Sequence, residues 1–114
     1  MTVTLPSDPA PSKAQVEWIL SGVLSRIARR VVSPRVGLRE LVAAYQGAPQ
    51  ADGARFVGDE YAIAQLVGYF YSYDDLEERP SEVSFDDRYG REAVTKLNAD
   101  VVRLAREWLD ARGV

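Results

Sequence analysis

Neither histidine nor cysteine occurs among the 114 residues, and methionine occurs once. Without cysteine there are no disulfides and no thiolate metal ligands. Without histidine the chain lacks the commonest general base near neutral pH and the commonest metal ligand. Serine–histidine and cysteine–histidine triads, ordinary zinc sites and histidine-ligated haem are thereby excluded. No apolar run in the sequence reaches the roughly 20 residues of a membrane span. No glycine-rich loop leads into a lysine followed by serine or threonine, so a phosphate-cradling motif is missing too. Residues 1–11 carry no basic segment and no apolar stretch, and do not read as a signal peptide. What remains is carboxylate, lysine or tyrosine chemistry, or no chemistry at all. The expectation is a cytoplasmic protein that is not an enzyme and uses no cofactor, no metal and no catalytic residue.

What is present fits one globular domain. Hydrophobic residues make up 46% of the chain and charged residues 27%, which is ordinary for a chain long enough to bury a core. Pro6, Pro9 and Pro11 sit among small and polar residues, so residues 1–11 read as a flexible tail and residues 12–114 as the domain. Ser12 has the chemistry of a helix N-cap. Val16, Ile19, Leu20, Val23, Leu24, Ile27 and Val31 then recur at helical spacing. Arg26, Arg29 and Arg30 fall late, where cations oppose the negative end of the helix dipole. Pro34 suits the first turn of a second helix with a stripe of Leu38, Leu41, Val42 and Tyr45. Gly47–Gly58 reads as a loop that Phe56 and Val57 could pin to the core. A third helix is predicted from an Asp59 cap, carrying Ile63, Leu66, Val67 and Phe70, with a strand over Val67–Tyr73 as the competitor. Pro80 breaks it. A long last helix is predicted from about Asp87 to Arg112 through Val94, Leu97, Val101, Leu104, Ala105, Trp108 and Leu109. Both Trp18 and Trp108 read as core. The fold class is all-α, a small bundle of about four helices.

The net charge of −3 conceals a polarised chain. Residues 1–58 carry seven basic and four acidic side chains, residues 59–87 one basic and nine acidic, and residues 88–114 six basic and four acidic. The acidic segment is centred on Asp74, Asp75, Glu77, Glu78, Glu82, Asp86 and Asp87, with Tyr71, Tyr73 and Phe85 interleaved. One reading is a solvated loop that serves solubility. The other is a docking surface whose carboxylates steer a basic partner and whose aromatics anchor it. The candidate partner-binding residues are those seven carboxylates with Tyr71 and Tyr73.

Metal chemistry fits less well. A calcium loop needs glycine at its sixth position and glutamate at its twelfth. Counted from Asp74 these are Arg79 and Phe85, and from Asp75 they are Pro80 and Asp86. Magnesium-dependent nucleotide hydrolysis by a helical bundle needs carboxylates along one helical face, which Pro80 interrupts after Glu77 and Glu78. The arginines at 26, 29, 30, 35 and 39 read as helix-end cations and as partners for the acidic block. An acidic chain is a poor match for a dedicated nucleic-acid binder.

From Glu60 to Val102 the chain resembles small helical bacterial immunity proteins of the colicin D immunity type. The resemblance rests on an aromatic-ended helix, AIAQLVGYFYSYDD, an acidic connection, and the acidic opening of the last helix, FDDRYGREAVTKLNADV. It implies a bundle that plugs the basic active site of a nuclease toxin with acidic side chains, here Asp74, Asp75, Glu78, Asp86 and Asp87. The arginine-rich first helices and the Gly47–Gly58 segment lie outside it. The expected partner is a basic protein such as a toxin nuclease domain, and not a membrane or a nucleic acid. The alternatives are a magnesium-dependent enzyme acting on nucleotides and an oligomer-forming structural subunit. An exposed apolar stripe on a long helix would favour the last.

Overall fold

The computed structural model describes residues 12–46 and 61–113. Within them the chain is an all-α bundle of helices α1 (Lys13–Ala28), α2 (Pro34–Gln46), α3 (Ala64–Glu78) and α4 (Gly90–Ala111). A two-stranded antiparallel hairpin, β1 (Ser84–Phe85) and β2 (Arg88–Tyr89), stands between α3 and α4. The 1–11 tail, the Gly47–Gly58 loop with Phe56 and Val57, and the Asp59 cap lie outside the described residues.

Local chemistry sets the boundaries of α1. The Ser12 hydroxyl accepts from the Gln15 backbone N–H, and the Gln15 side chain accepts in return from the Ser12 N–H. This reciprocal box satisfies two orphan donors and contributes about 1 kcal/mol. At the other end, Arg106 of α4 donates to the Ala28 carbonyl at 3.3 Å, so a cation from another helix closes the end of α1. Pro34 occupies the first turn of α2, where its missing N–H costs nothing.

Helix α1 packs against α2 and α4, and α3 packs against the same two. The helices α1 and α3 therefore occupy opposite corners of the bundle. Leu20, Leu24, Ile27, Leu38, Leu41, Ile63, Leu97 and Val101 are shut off from solvent at the centre. Tyr61 meets Tyr45 edge to face at 6.0 Å. The Trp108 indole N–H donates to the Tyr61 carbonyl at 3.0 Å, so the buried ring leaves no polar group unsatisfied. Arg112 stacks 3.8 Å from the centre of the same ring.

Three expectations need correction. Trp18 is not core but 79% exposed. Val16, Leu20, Val23, Leu24 and Ile27 define the buried face of α1, and two residues beyond Val16 is about 200° round the helix. Ile19 lies at the edge of that face at 41% exposure, and Val31 lies past the end of α1 at 67%. The last helix starts at Gly90, not near Asp87. Asp86 and Asp87, with φ of 54° and 60°, form a two-residue hairpin turn that pairs Phe85 with Arg88 and Ser84 with Tyr89. Positive φ at both central residues suits the twist of a tight hairpin, so the segment turns back before it enters α4.

Gly37 of α2 is required by packing. A Cβ there would stand 2.3 Å from Cγ1 and 2.6 Å from Cδ1 of Ile27. Gly68 on α3 has open space where its Cβ would be. Gly37→Val is expected to lose about 1–3 kcal/mol through overpacking, whereas Gly68→Ala gains up to about 1 kcal/mol of helix propensity. Urea unfolding of both variants checks the opposite signs.

Candidate functional site

The C-terminal half of α3 reads Tyr71, Ser72, Tyr73, Asp74, Asp75, Leu76, Glu77, Glu78. Four carboxylates thus gather at the negative end of the helix dipole, and the last turn holds no basic residue. Each such placement is unfavourable by a few tenths to about 1 kcal/mol. One residue compensates. Arg35, in the first turn of α2, donates through Nη2 to Asp74 Oδ1 at 2.6 Å and to Glu77 Oε2 at 2.8 Å. Its side chain is only 18% exposed. The guanidinium carbon lies 5.8 Å from the centre of the Phe70 ring and 5.5 Å from that of Tyr73. The Nε and Nη1 atoms are buried and have no hydrogen-bond acceptor among the described residues. The neighbouring rings hold the guanidinium through cation–π attraction instead. Burial disfavours its charge, but the hydrogen bonds and charges of Asp74 and Glu77 outweigh this and raise its pKa above the ordinary arginine value.

Helical geometry sorts the acidic residues into two faces. Phe70, Tyr73, Asp74 and Glu77 turn toward Arg35. Tyr71, Asp75 and Glu78, spaced four and three residues apart, share the outward face. Tyr71 is 52% exposed and contacts the edge of Phe70 at 5.3 Å. Asp75 and Glu78 are exposed and make no ion pair among the described residues. Glu82 follows in a turn whose backbone N–H groups at 82 and 83 donate to the Arg79 carbonyl. Asp86 is paired to Arg88 at 2.6 Å, while its neighbour Asp87 is exposed without such a pair among the described residues.

Tyr73 is not part of this surface. It is 2% exposed, and its hydroxyl donates to the Asn98 side chain on α4. The tyrosine lies on the Arg35 side of α3 and so faces the interior. Asp74 and Glu77 likewise have their charge offset from within. The seven carboxylates are therefore not equivalent: Asp75, Glu78, Glu82 and Asp87 face outward without an internal cation among the described residues, and Tyr71 alone supplies an exposed ring on α3 beside them. Among the described residues no group of three or more side chains is gathered to hold a metal ion. The acidic groups are laid out along a surface, not around a point.

The sequence reading missed Asp100. It is buried at 7% exposure on α4. It accepts from the Tyr69 hydroxyl at 3.3 Å and from Lys96 at 3.1 Å, with Arg103 at 3.7 Å. Lys96, Asp100 and Arg103 stand at helical spacings of four and three, a signal that was legible but masked by the louder acidic run. Burial raises the pKa of Tyr69, reinforced by the negative charge of Asp100. Burial also raises that of Tyr73, against the opposing pull of Arg35. The basic cluster also divides. Arg35 pairs with the acidic block and Arg26 pairs with Glu40 at 3.0 Å, while Arg29, Arg30 and Arg39 make no ion pair among the described residues.

No helix among the described residues is long and apolar enough to cross a membrane. No protein-family model, curated protein or solved structure matches the chain.

Two outcomes follow from these contacts. Arg35→Met keeps the packed stem but leaves Asp74 and Glu77 unpaired at the helix end. Because both carboxylates are roughly half exposed, the expected loss is about 1–2 kcal/mol by denaturant unfolding. Adding Asp74→Asn and Glu77→Gln to that variant should recover part of it. For the tyrosines, the folded chain holds the phenol protons more tightly than the unfolded chain, whose value is about 10. Their contribution to stability is complete below that value and falls as pH rises above it. Unfolding measured between about pH 9 and about pH 11.5 should show this decline, with a shallower slope in Tyr73→Phe.

Proposed function

We propose that the chain is a binding module for a basic protein, and that the outward face of α3 is its recognition surface. The observation that carries this reading is the division of the acidic block. Arg35 offsets Asp74 and Glu77, whereas Asp75, Glu78, Glu82 and Asp87 stay exposed without an internal cation among the described residues. Tyr71 stands one helical turn before Asp75 and gives the acidic stripe an aromatic anchor. Rings flanked by charges of one sign suit a partner with a cationic cleft: the charges accelerate encounter and the ring supplies desolvated contact. Acids crowded at a helix C-terminus weaken the fold, a cost that makes sense if the surface is kept for binding.

A nuclease domain is one class of partner with such a cleft, because its active site must attract phosphates. The acidic helix end would occupy that cleft in place of nucleic acid, as the resemblance to the colicin D immunity type suggests. One element departs from that pattern: Asp86 and Asp87 occupy a hairpin turn and do not open the last helix.

Asp75→Lys with Glu78→Lys should abolish capture of the partner, or weaken it at least about tenfold, and flatten its salt dependence. Asp110→Lys, an exposed charge reversal near the C-terminal end of α4, should leave affinity unchanged. Crosslinking to identify the partner, followed by calorimetric titration at several salt concentrations, reads both. A partner bound equally well by the Asp75, Glu78 double variant would contradict the assignment.

A further inference from the structure

The sequence assigns Trp18 of α1 to the core, yet it stands on an outward face that carries a second organised feature. Trp18, Gly22, Ser25 and Arg29 recur at spacings of four, three and four, the seam of an antiparallel or parallel helix pair. Trp18 is 79% exposed, and Ile19 borders the seam at 41%. Among the described residues nothing lies within 4 Å of the place where a Gly22 Cβ would stand. A shallow groove of about 440 Å³ runs past Trp18, Ile19, Gly22, Ser25 and Arg26. Arg29, at the end of the helix, is exposed and makes no ion pair among the described residues.

We infer that this face is a homodimer interface, occupied by α1 of a second copy running antiparallel. The seam is polarised, with an aromatic ring at one end, a cation at the other and two small residues between. Only the antiparallel alignment makes it complementary to itself. A two-fold axis between Gly22 and Ser25 places each Trp18 against Arg29 of the other copy, where the guanidinium is attracted by the indole face. It sets Gly22 opposite Ser25, so the backbones approach closely. It also opposes the two helix dipoles. The parallel alignment instead stacks Trp18 on Trp18 and brings Arg29 against Arg29. Such a two-fold contact is closed, so assembly stops at two copies. The helices α1 and α3 occupy opposite corners, so the dimer leaves both acidic faces free. The interface does not depend on the reading of α3.

Sedimentation of the full chain from about 1 µM to about 500 µM tests this, together with acrylamide quenching of tryptophan emission. Trp108 is buried, so Trp18 dominates the quenching. A reversible dimer is expected, with quenching that falls as the dimer forms. Trp18→Ala, Gly22→Leu and Arg29→Glu should each raise the dissociation constant at least about tenfold while circular dichroism is unchanged. Gly22→Leu improves helix propensity, so its loss of dimer cannot reflect a weakened fold. Arg29→Lys should keep most of the dimer, and Asp75→Lys with Glu78→Lys should stay dimeric. A monomer at every concentration overturns the inference. So does a monomer whose Trp18 is protected, since residues of the same chain would then cover the face. A dimer or larger assembly indifferent to all three variants places the contact elsewhere and overturns it too.

Discussion

One guanidinium organises the acidic end of this bundle. Arg35 reaches from the first turn of α2 to the last turns of α3, and two carboxylates and two aromatic rings surround it. Without it, four acids would stand at the negative pole of a helix dipole with no internal counterion among the described residues. With it, the end of α3 is tied to α2, and the helix surface separates into a side that faces the molecule and a side that faces out. The buried Nε and Nη1 atoms, which lack acceptors among the described residues, mark the cost of holding a cation there. Removing that cation would leave the α3 end with two unpaired carboxylates.

The same division explains what the acidic block can do. A carboxylate already satisfied by an arginine offers little to a partner, because its ion pair must be broken first. Asp75 and Glu78 make no such ion pair among the described residues, and Tyr71 lies on their face. Beyond them, Asp86 and Asp87 take left-handed backbone conformations to close a two-residue turn, which disfavours ordinary side chains. On the interior side, Tyr69 with Asp100 and Tyr73 with Asn98 link α3 to α4 through polar groups. These contacts fix how α3 is rotated, and so which of its residues point outward.

Much of the architecture was legible in the sequence because it rests on local chemistry. Ser12 and Gln15 announce a helix start, Pro34 a first turn, and the spacing of Leu97, Val101, Ala105, Trp108 and Leu109 a buried face. The outward stretch of α1 was misread because Trp18 is large and apolar, and size outweighed its position opposite the buried face. The hairpin was missed since two-residue strands leave no periodic signal, and Asp-Asp is an unusual occupant of a turn that favours Asn-Gly or Asp-Gly. For the candidate site, the acidic residues were visible but their sorting was not. Arg35 lies 39 residues before Asp74 in the chain, and only the tertiary packing of α2 on α3 brings the two together. Tyr73 shows the same limit: its partner Asn98 is 25 residues away on another helix.

Arg35 offsets the charge of Asp74 and Glu77 and leaves Asp75 and Glu78 to meet a cation from outside. Side-chain carboxyl resonances of the isotope-labelled protein, followed by NMR while hexa-arginine is added at moderate salt, read this directly. The resonances of Asp75 and Glu78 should move with the titration while those of Asp74 and Glu77 stay in place. Equal or larger movement at Asp74 and Glu77 would contradict the account.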